Sequence, residues 1–277
     1  MTQATTYRML TLDVDGTTLD SHKRVTPGVR AAVSGLVSRG IPVSWCTGRN
    51  AAELSDPRAE LPEIRYGVLM SGALVYDFER KTSLREVPLP ADLLLEAIAL
   101  AEEVGAAAHL MTADGSYMDQ DILDHGARYH MALYHPLHAR TAVGVDSPSD
   151  FVRAHPTATL KANLYHRDAK TREATRARLE ASGLTLAFSE ASSLECTSPG
   201  VSKATGTAAL ASSLGITPSE VVAVGDAPND LPALRAAGLA VAMGNASEEV
   251  KRTCDLVVAD NDHDGVAEAI ARAFPEA

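Results

Sequence analysis

Short apolar runs alternate with amphipathic segments along the first part of the chain. Largely apolar runs at residues 9–12, 41–46 and 67–70 predict three short buried strands. An amphipathic helix is predicted between the first two strands, from the cap residue Thr26 to Gly40, and a second helix is predicted from about Asn50. This alternation of strand and helix is typical of a parallel sheet with right-handed crossovers.

The pattern changes after the third strand and returns near the last third of the chain. A mixed series of strands and helices follows, in which residues 119–149 show no clear periodicity. The strand-helix alternation then resumes and includes a buried strand at residues 221–224. The sequence therefore predicts a Rossmann-like, parallel-sheet α/β core formed by residues 1–81 and 191–277, with an inserted mixed α/β domain at residues 82–190.

Polar residues stand where the predicted core strands end or where a core helix begins. They are Asp13-Val14-Asp15-Gly16-Thr17, Thr47-Gly48-Arg49, Lys203 and Gly225-Asp226 with Asn229 and Asp230. Each alone has an ordinary interpretation as a hairpin turn, a helix cap or a solvated lysine. Together, at the carboxyl edge of one sheet, they supply a nucleophile, metal ligands, phosphate donors and a positive charge, which phosphoryl transfer needs.

Two carboxylates one residue apart, at Asp13 and Asp15, repel each other at the end of the first strand. A divalent cation would remove this conflict. Mg²⁺ suits the position because it prefers carboxylate and carbonyl oxygens and keeps several of its waters. The sequence therefore predicts a Mg²⁺ site at this turn.

The same motifs give the chain a resemblance to a known superfamily. It resembles the haloacid dehalogenase (HAD) superfamily, and within it the Cof-type phosphatases that carry a large α/β cap. The most specific matches lie near the C-terminus, at Gly200-Val201-Ser202-Lys203, Gly225-Asp226-Ala227-Pro228-Asn229-Asp230, Ala237-Gly238, Val241-Ala242-Met243, Asn245-Ala246 and Asp264-Gly265-Val266-Ala267. One departure is Ser71-Gly72-Ala73, where many relatives have Asn-Gly-Ala.

The resemblance implies a catalytic role for several of these residues. Asp13 would be the nucleophile that forms an aspartyl-phosphate, and Asp15 would act as general acid and then as general base. Thr47 and the amide of Gly48 would hold the phosphoryl oxygens. Lys203 would neutralise charge on the phosphate and the nucleophile.

The resemblance also implies how a metal would be held. Asp226 would bind Mg²⁺ together with Asp13 and the carbonyl of Asp15. Asn229 would donate to the phosphate. Asp230 would orient either a metal-bound water or Lys203.

Composition restricts the possible partners and location. The net charge of −11 provides no footprint for nucleic acid or for an anionic membrane. No apolar run is long enough for a transmembrane helix, and residues 1–8 do not resemble a signal peptide. Cys46, Cys196 and Cys254 form no CxxC pair, which favours reduced thiols and a cytoplasmic location. The oligomeric state cannot be read from the sequence.

We expect a Mg²⁺-dependent phosphatase that acts on a small phosphorylated metabolite, with sugar phosphates as the first class and pyridoxal phosphate or a flavin mononucleotide as further candidates. A phosphomutase that uses the same aspartyl-phosphate, and a non-catalytic binding or sensor protein on the same fold, are the alternatives. Dehalogenase chemistry is disfavoured because it needs neither Mg²⁺ nor the acid Asp15. Four histidines, His125, His130, His135 and His138, match no zinc motif and are expected to be solvated or hydrogen-bonded, although one could contact the substrate.

Overall fold

The computed structural model describes residues 6–131, 135–188 and 192–275. The chain divides into two compact units. The first comprises Met1–Thr47, Ser55–Arg85 and Ser202–Ala277, and the second comprises Gly48–Leu54 and Glu86–Val201. Each unit contains its own β-sheet.

The first unit is built on an eight-stranded sheet in the order β14-β13-β12-β1-β2-β3-β4-β5. The strands are β1 (Met9–Leu12), β2 (Val43–Cys46), β3 (Tyr66–Leu69), β4 (Leu74–Asp77), β5 (Thr82–Glu86), β12 (Val221–Gly225), β13 (Leu239–Ala242) and β14 (Leu256–Val257). The helices are α1 (Pro27–Ser38), α2 (Ser55–Glu60), α8 (Lys203–Ser213), α9 (Leu231–Ala236), α10 (Glu248–Thr253) and α11 (Gly265–Ala273). Neighbouring strands from β14 to β3 are parallel, so the predicted parallel α/β core is confirmed.

The first helix forms where its cap residue and its apolar spacing predict it. The hydroxyl of Thr26 accepts a hydrogen bond from the Val29 N–H, and Pro27 occupies the first turn. Val29, Val33 and Leu36 are buried along one face of α1.

The centre of the first sheet places three strand ends at one edge. β1 lies between β12 and β2, and Leu12 is in register with both Val224 and Trp45. Because these strands are parallel, the residues that follow them emerge on the same side of the sheet. The sheet around them is buried, and Leu12 and Trp45 have no exposed surface.

The second unit is built on a six-stranded sheet in the order β10-β11-β9-β6-β7-β8. The strands are β6 (Ala107–Thr112), β7 (Ser116–Asp119), β8 (Ala142–Val145), β9 (Thr159–Tyr165), β10 (Thr185–Ala187) and β11 (Ser193–Thr197). The helices are α3 (Ala91–Glu103), α4 (Gln120–His125), α5 (His135–Thr141), α6 (Pro148–Ala154) and α7 (Ala169–Leu179). The strands pair antiparallel except for β7 and β8.

Two features of the fold differ from the sequence-based expectation. Strand β11 pairs with β9 and β10, so the chain rejoins the first unit at Ser202 rather than near residue 191. This strand is buried at every position, so its sequence pattern fits either sheet. Only its pairing partners show which sheet it joins. The predicted helix from Asn50 begins instead at Ser55, because the Asn50 side-chain oxygen accepts a hydrogen bond from Glu53 N–H in a local turn.

Residues 119–149, which show no clear periodicity, contain several short elements. Helices α4, α5 and α6 and strand β8 all begin within them, and residues 132–134 of this stretch lie outside the described residues. Three of its histidines are hydrogen-bonded, as expected: His125 to the Asp121 carboxylate, His130 to the Arg167 carbonyl and His135 to the Leu123 carbonyl. His138 is buried.

Candidate active site

The turn after β1 holds the first candidate residue, Asp13, which is only 7% exposed. The hydroxyl of Thr18 donates to the Asp13 carbonyl at 2.6 Å. Gly16 adopts a φ of +76°, and a Cβ on it would lie 2.5 Å from Oδ2 of Asp226. Glycine is required here because it both takes this conformation and lets the turn approach the Asp226 carboxylate.

Lys203 is the first residue of α8 and is 1% exposed. Its Nζ donates to Oδ1 of Asp13 at 2.7 Å and to Oδ1 of Asp230 at 2.5 Å. The helix start is fixed by Ser202, whose side chain accepts from Thr205 N–H. The local sequence therefore sets the start of the helix that carries Lys203, and the fold brings this lysine to an aspartate 190 residues away.

Asp230 uses both of its carboxylate oxygens within the protein. Oδ1 accepts from Lys203, and Oδ2 accepts from the backbone N–H groups of Asp226 and Ala227 at 3.0 Å each. A Cβ at Gly225 would lie 2.5 Å from this carboxylate. Asp230 thus braces the turn after β12 and positions Lys203, and glycine at 225 leaves the space that it occupies.

The carboxylates of Asp13, Asp226 and Asp230 can hold a cation. One oxygen from each lies within 4.8 Å of the others. An oxygen-only set of this kind is what Mg²⁺ prefers. Since Asp230 is committed to Lys203 and two amides, Asp13 and Asp226 fit best as direct ligands.

The charges of this cluster are unbalanced in the protein alone, because three carboxylates face one ammonium group. Burial and the nearby Asp230 raise the pKa of Asp13 well above its ordinary value, and the same two causes raise the pKa of Asp226 to about 6. Burial alone would lower the pKa of Lys203, but Asp13 and Asp230 raise it well above its ordinary value. A divalent cation would offset the remaining negative charge.

One contact in this cluster was not predicted from the sequence. The hydroxyl of Thr17 donates to Oδ1 of Asp226 at 2.9 Å and therefore orients that carboxylate. The signal available was the position of Thr17, directly after Gly16 in the acidic turn.

Asp15 lies at the more open side of the same turn. Its Oδ1 accepts from the Nζ of Lys23 at 2.8 Å, and its side chain is 27% exposed. Asp15 thus reaches solvent, whereas Asp13 faces the interior. Lys23 adopts a φ of +61°, in a turn that follows the acidic motif.

The other predicted phosphate-binding residues are Thr47, Gly48 and Asn229. Thr47 follows β2 directly and is buried, and its N–H donates to the Val68 carbonyl. Gly48 begins the segment that belongs to the second unit. Oδ1 of Asn229 is buried and accepts no hydrogen bond from the described part of the chain.

The departure at Ser71 affects a backbone turn. Ser71 adopts a φ of +56°, and its N–H donates to the Thr47 carbonyl. The next residue, Gly72, approaches the start of α8 so closely that a Cβ on it would lie 2.0 Å from the Ser202 carbonyl oxygen. Gly72 therefore sets how close β3 and the Lys203 helix can pack.

The first unit combines a parallel α/β sheet with three carboxylates and a buried lysine, which lie near the carboxyl ends of the strands. This combination is typical of enzymes that bind a cation and an anionic group together. The chain belongs to the haloacid dehalogenase-like hydrolase family, whose sequence model matches residues 10–270.

Comparisons with individual proteins agree with this membership. The pyridoxal phosphate phosphatase YbhA of Escherichia coli K12 is 28% identical over 268 residues, covering 96% of this chain and 98% of that protein. The HMP-PP phosphatase of Serratia proteamaculans is 29% identical over 250 residues, covering 88% and 86%. The chain also spans 45% of the length of an Arabidopsis thaliana protein named endoribonuclease YBEY, chloroplastic, at 28% identity over 274 residues.

Among solved structures, a haloacid dehalogenase-like hydrolase from B. subtilis superposes with a TM-score of 0.86 at 25% identity, covering 96% of this chain and 100% of that chain. The predicted family and fold class are thereby confirmed. The prediction of a phosphomonoester hydrolase is also confirmed, since relatives named phosphatases align along nearly the whole chain. No helix within the described ranges is long and apolar enough to cross a membrane.

Proposed function

We propose that this protein is a Mg²⁺-dependent phosphatase of small phosphorylated metabolites, with sugar phosphates as the first substrate class, and that it works through an aspartyl-phosphate. The observation that carries the proposal is the buried contact of Asp13 with Lys203 beside the Asp226 carboxylate. This contact gives a nucleophile, a fixed positive charge and a cation site within one cluster.

Asp13 is the nucleophile of the first step. Its carboxylate oxygen forms a bond to phosphorus while the ester P–O bond breaks, and the leaving alkoxide takes a proton from Asp15. Lys203 holds Asp13 in position and offsets charge on the phosphoryl oxygens. Thr47, the amide of Gly48 and Asn229 are proposed to bind those oxygens, and the side-chain N–H₂ of Asn229 is a group that can donate to them.

Asp15 acts in the second step as a base. It takes a proton from the water that attacks phosphorus, which releases inorganic phosphate and restores the Asp13 carboxylate. The Asp15 carboxylate lies at the more open side of the turn, where Oδ1 accepts from the Nζ of Lys23 at 2.8 Å.

Mg²⁺ would be held by Asp13, Asp226 and the carbonyl of Asp15. Thr17 orients the Asp226 carboxylate, and Asp230 orients Lys203. The ion would supply charge neutralisation and polarise the phosphoryl group. The chain's own contribution is to keep these oxygens together at the end of β1, where their mutual repulsion makes a bound cation favourable.

We propose that the first unit is the catalytic core and that the second unit selects the substrate, with specificity in residues between about 110 and 165. Relatives named for pyridoxal phosphate and HMP-PP make phosphorylated heterocycles a second class of candidates. A cytoplasmic location is also proposed, because Cys46 and Cys196 are buried free thiols. We expect no nucleic-acid partner at a net charge of −11.

The test is phosphate release from a panel of sugar phosphates and phosphorylated cofactors, with Mg²⁺ and with EDTA, and with Asp13→Asn as the matched control. We expect release that EDTA abolishes, that Mg²⁺ restores and that the Asp13→Asn protein lacks. Release that is unchanged in EDTA or in Asp13→Asn would refute the mechanism. No release from any folded sample would favour the phosphomutase or the non-catalytic binding alternative instead.

A further inference from the structure

A second cluster of potential metal ligands lies entirely within the second unit. It consists of Glu53, His109 on β6 and His138 on α5, and one ligand atom from each lies within 4.8 Å of the others. Oε1 of Glu53 is 3.8 Å from Nε2 of His109 and 3.6 Å from Nε2 of His138. All three side chains are buried, with exposed fractions of 2%, 0% and 6%.

The His109 imidazole is the second observation that points to a ligand. Neither of its ring nitrogens hydrogen-bonds to any residue in the described ranges, although the ring has no exposed surface. Leaving a buried polar group without a partner is unfavourable, because the group has lost its hydrogen bonds to water. One of these nitrogens is directed at Oε1 of Glu53, but at 3.8 Å it is beyond hydrogen-bond distance.

The carboxylate is held so that one oxygen faces the two rings. Oε2 of Glu53 accepts from the Asn50 N–H at 3.0 Å, and the Asn50 side-chain oxygen accepts from the Glu53 N–H at 3.0 Å. This reciprocal pair fixes the Glu53 backbone and its Oε2, which leaves Oε1 directed at His109 and His138. Ligands fixed by neighbouring groups in this way favour tight metal binding.

The charge of the cluster also suits a cation. Burial lowers the pKa of His109 well below its ordinary value and lowers that of His138 to about 4, so both rings are neutral near pH 7 and offer a lone pair. The nearby ammonium group of Lys161 is balanced by Glu195 at 2.9 Å. The guanidinium of Arg49 donates to the Glu53 carbonyl, and its charge also contributes to the lowered pKa of His138.

The separations fit one ion shared by three ligands. Two atoms that each lie ~2.1 Å from one ion at a tetrahedral angle are ~3.4 Å apart. The two distances from Oε1 of Glu53, 3.6 and 3.8 Å, need only a small contraction to reach this value. Two imidazoles and one carboxylate are a donor set suited to Zn²⁺ and other divalent transition metals rather than to Mg²⁺.

We propose that Glu53, His109 and His138 form a binding site for a divalent transition metal, separate from the carboxylate cluster of the first unit. Three protein ligands leave one coordination position for a water or for an anionic ligand. The ion would join the segment Gly48–Leu54 to β6 and α5 within the second unit. The proposal does not depend on the phosphatase activity.

Cobalt spectroscopy on the wild-type protein tests the site. The protein is stripped with a chelator and titrated with Co²⁺ in millimolar Mg²⁺. We expect one equivalent of Co²⁺ to give the intense visible absorption of four- or five-coordinate, nitrogen-ligated cobalt, and Zn²⁺ to remove it. Cobalt in the oxygen-only cluster would be six-coordinate and would absorb only weakly, which distinguishes the two sites. Absence of the intense band would overturn the proposal without any variant.

Substitutions then assign the ligands. His109→Gln and His138→Gln should each weaken Zn²⁺ binding by more than ~100-fold, since even partners of metal ligands affect affinity up to that extent. Glu53→Gln should do the same while it keeps an oxygen for the Asn50 N–H. The exposed His125→Gln is the control and should leave binding unchanged. A band that persists in His109→Gln, or that is lost equally in His125→Gln, would show that the metal binds elsewhere.

Discussion

Replacing Lys203 by methionine removes the positive charge that contacts both Asp13 and Asp230. The Nζ of Lys203 lies 2.7 and 2.5 Å from these two carboxylates, and all three side chains are at least nine-tenths buried. Removing one partner of a buried ion pair typically costs about 3–5 kcal/mol, because the remaining charge is left uncompensated. We expect the free energy of unfolding of the first unit to fall by that amount, and phosphate release to be lost as well.

Urea unfolding in EDTA measures the change in stability. The chain has a single tryptophan, Trp45, which is buried in β2 beside β1, so its fluorescence follows the sheet that carries the site. With a urea dependence of roughly 1–3 kcal/mol per molar, the midpoint should fall by about 1–5 M. The control Lys251→Met removes a surface pair with Glu248 and should change stability by less than about 1 kcal/mol.

A second substitution separates stability from catalysis. Lys203→Met combined with Asp230→Asn removes one negative charge with the positive one, and the amide oxygen can still accept from the Asp226 N–H. The double variant should recover much of the lost midpoint but no phosphate release. The reasoning would be refuted if Lys203→Met unfolded at the wild-type midpoint, or if the double variant regained activity.

Three further substitutions test the acidic turn. Asp13→Asn should abolish phosphate release while the urea midpoint followed by Trp45 stays at or above that of the wild type in EDTA, since it removes charge from an overly negative cluster; a lower midpoint would contradict this. Thr17→Val removes the donor to Asp226 and should raise the Mg²⁺ concentration needed for half-maximal phosphate release by ~10–100-fold, so an unchanged Mg²⁺ titration would exclude that role. Gly16→Ala places a Cβ 2.5 Å from Asp226 at a φ of +76° and should cost about 1–3 kcal/mol in urea unfolding, whereas a wild-type midpoint would show that the turn relaxes freely.

The strand-end motifs of the first unit could be predicted because they depend on local pattern. β1 and α1 form where the apolar runs and the Thr26 cap predict them. The order of strand and helix implies a parallel sheet, and a parallel sheet places the residues after β1, β2 and β12 at one edge. The position of Asp13 near Asp226 follows from these rules, although the individual contacts do not.

The second unit was harder to predict because its short elements carry weak periodicity. Residues 119–149 alternate between brief helices and a strand, each too short for a clear apolar face. Strand β11 shows the related difficulty that a fully buried strand has no polar side to indicate which sheet it joins.

The sequence by itself determined the parallel core, the acidic turn and the capped helix that begins at Lys203, because each depends on neighbours within a few residues. Only the tertiary structure decided which distant side chains meet. The contact of Asp13 with Lys203 spans 190 residues. The grouping of Glu53 with His109 and His138 joins a turn, a strand and a helix whose spacing in the sequence matches no metal motif. Packing, not periodicity, brings such groups together, since side-chain direction and pairing partner are fixed only when the sheets form.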